Sequence, residues 1–271
     1  MIWWCSATGL PWTWAWRAYP GVWLFLAVLG GLGALAIRGR PNAGAAGRFF
    51  AIGLGLLWIA LDWPLGALGG YLASAHTGQF ILIALSAPAF LLLGFRPAAA
   101  ALRTPSPGAT ALAQLARPIP AFVGYNLILL VTHFPAIVDG LMASQLGSFG
   151  LDLLWLAAGC LLWWPVVAPA RYRRLSPPLQ MAYLFLQTVP ATLPAAFLIF
   201  ADYPLYQLYE LAPRVTAALT PLSDHQVAGL LMKVVGDPVV WIGIAVVFFR
   251  WANAERRADR GEVVPTRQAV G

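Results

Sequence analysis

Charge is the scarcest ingredient of this sequence. Only 10% of the residues are Asp, Glu, Lys or Arg, where a soluble globular chain carries about a quarter. With 60% hydrophobic residues and a mean hydropathy of +0.73, that shortage excludes a compact soluble domain, because too little polar surface is left to face water. The solvent for most of the chain is therefore a lipid bilayer. Lysine is nearly absent: Lys233 is the one lysine among 17 basic residues, which outnumber the 10 acidic ones for a net charge of +7. A basic excess can mark nucleic-acid binding, but these arginines lie between apolar runs and not among aromatic RNA-reading motifs. That is the pattern of cytoplasmic loops in membrane proteins, and no nucleic-acid partner is expected. Cysteine is limited to Cys5 and Cys160, with neither CxxC nor zinc spacing, and no disulfide between them is expected. No phosphate-cradling glycine loop, GxSxG or HExxH occurs, so nothing supports an enzyme.

What is present is a series of apolar runs. A spanning helix needs about 20 mostly apolar residues, and seven runs qualify: Pro20 to Ile37, Phe49 to Trp63, Tyr71 to Phe95, Pro120 to Val138, Phe149 to Pro169, Leu179 to Phe200, and His225 to Trp251. Pro190 and Pro194 would kink the sixth, which bundles in membranes tolerate. The chain thus divides into a Trp-rich N-terminus (1–19), a membrane domain (20–251) and a charged tail (252–271) whose end from Glu255 is expected to fray. The N-terminus lacks the basic start and cleavage site of a signal peptide. It is read as retained, with Trp3, Trp4, Trp12, Trp14 and Trp16 at the lipid headgroups.

Arginine sets the direction. Arg38, Arg40 and Arg48 follow run one; Arg96, Arg103 and Arg117 follow run three; Arg171, Arg173 and Arg174 follow run five; Arg250, Arg256, Arg257, Arg260 and Arg267 follow run seven. The connections after runs two and four have no Lys or Arg, and the one after run six has only Arg214. This alternation fits an all-α integral membrane protein, a seven-transmembrane-helix bundle with its N-terminus outside and its C-terminus cytoplasmic.

In that topology the three histidines share one layer. His76 lies within about two turns of the outer start of helix three, His133 near the outer end of helix four, and His225 at the outer start of helix seven. Imidazole is a common ligand of copper and zinc, so the layer is a candidate outward-facing metal or proton site. Interfacial histidines bonded to neighbours are the alternative. Asp62, Asp139, Asp152, Asp202, Glu210 and Asp224 share the layer; Asp224 is equally readable as an N-cap, whereas Asp152 lies inside its span. Met232, seven residues after His225, falls on the same helix face, and a His/Met set suits Cu(I). Met142 lies in an outer loop. Lys233 and Asp237 stand at i, i+4 within helix seven, where each lowers the cost of burying the other.

The residues resemble the CtaG-type cytochrome c oxidase assembly protein family. Ala75-His76-Thr77-Gly78-Gln79-Phe80, with Ala87-Pro88 and Leu91 to Gly94, is similar to its third-helix motif, and His133-Phe134-Pro135 with Asp139 to its His-x-Pro stretch. Gly159, Trp163-Trp164-Pro165 and Arg174 to Pro177 resemble its fifth helix and loop. Pro204-Leu205-Tyr206 and Pro221 to Gln226, with Gly229 and Met232, resemble its last outer loop and helix. The likeness runs from about Arg48 to Trp251. Three positions depart from the pattern: Phe80 and Asp152 stand where the family usually has histidine, and His225-Gln226 where it commonly has Gln-Gln. The resemblance implies a non-enzymatic factor in a bacterial plasma membrane, maturing the copper centres of haem-copper oxidases. Together with the shared layer, this makes His76, His133 and His225 the expected copper ligands, with Asp152, Asp224 and Met232 as further candidates. The implied partners are the cytochrome oxidase subunits and an extracytoplasmic copper chaperone. Two alternatives are an accessory subunit of a respiratory oxidase without metal chemistry and, less favoured by the apolar cytoplasmic halves of the spans, a copper transporter.

Overall fold

The computed structural model describes residues 2–101, 113–170 and 172–261, and every regular element among them is helical. Arg103, Arg171, Arg267 and the rest of the tail beyond residue 261 lie outside the described residues. In chain order the helices are α1 (Pro20–Ile37), α2 (Ala43–Leu61), the short α3 (Leu65–Leu68), α4 (Ala73–Ala101), α5 (Pro118–Thr132), α6 (Pro135–Met142), α7 (Gln145–Val167), α8 (Pro177–Ile199), the short α9 (Gln207–Leu211) and α10 (Pro221–Asp259). Six of these, α1, α2, α4, α7, α8 and α10, are each long and apolar enough to cross a bilayer. The pair α5 and α6 passes the same test together but is bent by 76°. Among the described residues there are therefore six unbroken candidate spans, and a seventh if the bent pair counts as one.

That bend is the main departure from the apolar runs, which predict one span from Pro120 to Val138. Proline pushes the residue before it out of the helical region, and Phe134 is extended at φ −71, ψ 131. Helix α5 therefore stops at Thr132, and Pro135 starts α6 in a new direction. Other boundaries move outward. Helix α4 continues through Arg96 and Pro97 to Ala101, and α10 begins at Pro221 and runs beyond Trp251 to Asp259. The first residues of the charged tail, Glu255 included, are thus helical and not frayed.

Helix α4 is the centre of the bundle. Helix α2 packs along its second half, α7 crosses its middle, and α10 lies against its first turns. A π-helical segment interrupts α4 at Ile81–Ser86 and another interrupts α10 at Met232–Gly236, and the two segments touch. The α4–α7 crossing is close because Gly159 has no side chain: a Cβ there would run into the Ala84 carbonyl. Gly66 and Gly70 serve this chain's own packing, since a Cβ at either would meet Cys5 or Ser6.

The two ends of the bundle differ in charge. Arg96 is close enough to Arg173 and to Arg250 to feel the charge of each, so the basic end of α4 lies near those of the α7–α8 connection and of α10. The opposite end is tied down by the N-terminal segment. The Gln145 side-chain oxygen accepts from the amides of Trp3 and Trp4 (2.6 and 3.2 Å), and the Met142 carbonyl accepts from the Ala7 amide (3.0 Å). Trp4 is only 1% exposed, packed between Phe25 and Phe149. Trp3 is half-buried, whereas Trp14 and Trp16 are exposed. Trp4 is therefore a core residue and not a headgroup anchor, because its indole N–H has an internal acceptor.

Candidate functional site

That acceptor is Asp152, whose Oδ2 lies 2.8 Å from Trp4 Nε1. It is one of several carboxylates at this end that hold the chain together. Asp139 accepts from the amides of Gln207 and Leu208 (3.2 and 3.1 Å), the free N-terminus of α9. Asp62 accepts from the indoles of Trp23 and Trp58 (3.1 and 2.7 Å). Asp224 does cap a helix, but not its own. Thr220 caps α10, while the Asp224 carboxylate accepts from the amides of Ala73 (2.6 Å) and Ser74 (3.1 Å) and from the Ser74 hydroxyl, at the start of α4. A carboxylate on those free N–H groups also meets the positive end of the helix dipole.

Pinned in this way, α4 turns His76 into the bundle one turn later. The ring is buried, 4.9 Å from the indole of Trp155 between centroids. Its Nδ1 lies 3.4 Å from the Gln79 oxygen, and Gln79 Nε2 donates to the Ala60 carbonyl at 2.9 Å. That second bond fixes which end of the amide faces His76, so Nδ1 carries the ring proton and Nε2 the lone pair. Nε2 is buried and has no partner.

His133 ends α5. Its Nδ1 lies 2.8 Å from the Leu129 carbonyl, which requires Nδ1 to be the donor and leaves Nε2 a free lone pair. The ring stands edge-on to Phe80 at 4.9 Å and stacks toward Trp155 at 6.1 Å. His76 and His133 line one cavity of about 10 Å³, together with Phe80, Trp155, Tyr206 and Tyr209 among others. That is room for roughly one water. Trp155 is held by its own bond to the Thr132 hydroxyl (2.9 Å). Burial raises both tyrosine phenols above their usual range, so they stay protonated. Tyr206 donates to the His133 carbonyl (3.1 Å) and Tyr209 to the Gly69 carbonyl (3.0 Å).

The other candidates sit apart from this pair. His225 is fully buried, and both ring nitrogens are engaged: Nδ1 with the Pro221 carbonyl (2.6 Å), and Nε2 as acceptor of the Tyr206 amide (3.1 Å). Met232 lines a different cavity, of about 20 Å³, with Gln187 and Asp237; Phe80 lines both cavities. Among the described residues no group of three or more His, Cys, Asp or Glu side chains is arranged to hold a metal ion. Of the candidates, His76 and His133 are the two imidazoles that line one cavity with an Nε2 lone pair each. Asp152, Asp224 and His225 are committed to other bonds, and Met232 is walled off. Sequence reasoning passed over Trp155, although it lies one turn beyond Asp152 on the same helix, and passed over Tyr209, whose loop position carried no periodic signal.

No curated protein and no solved structure matches this chain. A model of the cytochrome c oxidase caa3 assembly factor family does match, over residues 23–254, which takes in every element of the site except the N-terminal segment. On that match, the chain belongs to the caa3-type cytochrome c oxidase assembly factor (CtaG) family.

Proposed function

We propose that this chain carries copper on His76 and His133 for the copper centre of a haem-copper oxidase, at the extracytoplasmic face of a bacterial plasma membrane. The observation that carries the reading is the cavity shared by the two imidazoles, with His76 Nε2 buried and unpartnered. It lies at the end of the bundle away from Arg96, Arg173 and Arg250, and the positive-inside rule then faces it outward, with the N-terminus outside and the C-terminus in the cytoplasm. Copper is cargo here. Neutral imidazoles coordinate Cu(I) without first losing a proton, and an outward-facing site lies on the side where a copper chaperone and the oxidase subunits would meet it.

In this reading His225, Asp152 and Asp224 support the site without holding the ion. Asp224 sets the start of α4, His225 holds the Tyr206 loop, and Asp152 anchors Trp4. Met232 enters only if Phe80 moves. The test is copper content of protein purified after anaerobic Cu(I) loading, with His76→Ala and His133→Ala beside it. Copper that survives both substitutions, or that never binds the parent chain, ends the copper-carrier reading. An accessory subunit without metal chemistry is the second reading. Stoichiometric presence in the mature, copper-loaded oxidase would select it.

A further inference from the structure

Trp155 stands beside both histidines of the outer cavity. Its indole centroid is 4.9 Å from that of the His76 ring and 6.1 Å from that of the His133 ring, at interplanar angles of 42° and 27°. The side chain is 2% exposed, and Phe80 packs against it edge-on at 5.1 Å. Its N–H donates to the Thr132 hydroxyl at 2.9 Å, and Thr132 in turn donates to the Ile128 carbonyl at 2.7 Å. The ring is thereby held in one orientation. What it offers the cavity is its π system, because its N–H is already bonded.

The rest of the wall is neutral as well. Tyr206 and Tyr209 donate their hydroxyl protons to the His133 and Gly69 carbonyls, so neither presents a phenolate. Thr77 and Thr132 are neutral hydroxyls, and among the described residues that line the cavity there is no carboxylate or thiolate. A divalent ion is poorly served by such a wall. Zn(II) takes four donors, whereas the cavity supplies two imidazoles and, at about 10 Å³, room for roughly one water. No anionic donor offsets the ion's charge. The cost of burying an ion grows with the square of that charge, so a monovalent ion costs about a quarter as much as a divalent one of equal size. A monovalent closed-shell cation such as Cu(I) or Ag(I) also needs fewer donors. Among aromatic side chains, the face of an indole attracts a cation best.

We propose that Trp155 is the specificity-determining residue of this cavity: its indole supplements the two imidazoles and fits the site to a monovalent soft cation, Cu(I) or Ag(I), in preference to divalent ions such as Zn(II). This rests on the copper-carrier reading and adds to it the group that selects the charge of the cargo. Uptake forms bonds from the Nε2 lone pairs of His76 and His133 to the ion. No electron is transferred and no proton is released, since both ring protons sit on Nδ1.

The test is anaerobic metal binding to the purified full chain, with Cu(I) measured against a chromophoric chelator and Ag(I) and Zn(II) measured in parallel. Binding at the site is the part lost in His76→Ala/His133→Ala. The parent chain should take up Cu(I) and Ag(I) in mutual competition and hold Zn(II) at least about tenfold more weakly. Trp155→Phe should weaken Cu(I) binding about tenfold. Singly and doubly fluorinated tryptophan at position 155 keeps the shape and the N–H of the indole but draws charge from its face. Cu(I) affinity should therefore fall in steps along that series while the melting temperature stays level. A purely structural Trp155 would instead give the same Cu(I) affinity along the fluorinated series, and that result would overturn the role of the indole. Zn(II) held by the histidine pair as tightly as Cu(I) would overturn the selectivity. Either result leaves the copper-carrier reading standing. A parent chain that takes up neither Cu(I) nor Ag(I) would end both.

Discussion

Removing the Asp224 carboxylate should loosen the end of the bundle that carries His76. Asp224→Ala leaves the amides of Ala73 and Ser74 and the Ser74 hydroxyl without their acceptor. A hydrogen bond to a charged group contributes about 1.5–3 kcal/mol, and an unsatisfied buried donor costs about 1–3 kcal/mol. The three donors share one carboxylate, so these figures do not add, and the substitution should cost about 3–4 kcal/mol in all. Asp224→Asn keeps one acceptor oxygen but loses the charge facing the helix dipole, and should cost about 1–2 kcal/mol. Ser74→Ala removes a donor along with its demand, and should cost under about 1 kcal/mol. The assay is thermal unfolding in detergent, followed by helical circular dichroism. The expected order of loss is Asp224→Ala, then Asp224→Asn, then Ser74→Ala. Alanine at 224 with unchanged stability would refute the idea that α4 is capped from α10.

Three further outcomes follow from neighbouring contacts. His225→Ala breaks the bonds to the Pro221 carbonyl and the Tyr206 amide and should cost about 2–3 kcal/mol in the same melt, yet leave copper binding in place. Trp4→Phe strips Asp152 of its indole donor and should cost about 1–3 kcal/mol; the Trp4→Phe/Asp152→Asn pair should recover part of it in a double-mutant cycle. Gly159→Ala drives a methyl group into the Ala84 carbonyl and should cost about 1–3 kcal/mol by forcing α4 and α7 apart, read as a lowered midpoint.

The membrane domain was legible in the sequence because hydrophobic length and arginine placement are local signals. Six runs became unbroken helices, and α1 from Pro20 to Ile37 coincides with its run. The break at His133-Phe134-Pro135 was signalled by the proline, but hydropathy alone carried the run through it. The π segments at Ile81–Ser86 and Met232–Gly236 left no mark in composition, and their contact depends on how α4 and α10 pack together. The histidine layer was legible only as a depth. That His76 and His133 share a cavity while His225 is bonded at both nitrogens depends on the roll of each helix about its axis. Asp224 illustrates the same limit: a capping residue was legible, but its target lies 151 and 150 residues away in sequence. Asp152 likewise had no visible partner until the N-terminal segment folded back to bring Trp4 against it.

The most direct test of the account is the copper content of purified, Cu(I)-loaded protein for the parent chain, His76→Ala/His133→Ala and His225→Ala, each checked for folding by its melt. The account predicts about one equivalent of copper in the parent and in His225→Ala, and none above background in the double variant. Copper retained by the double variant, or a parent chain that holds none, would contradict it.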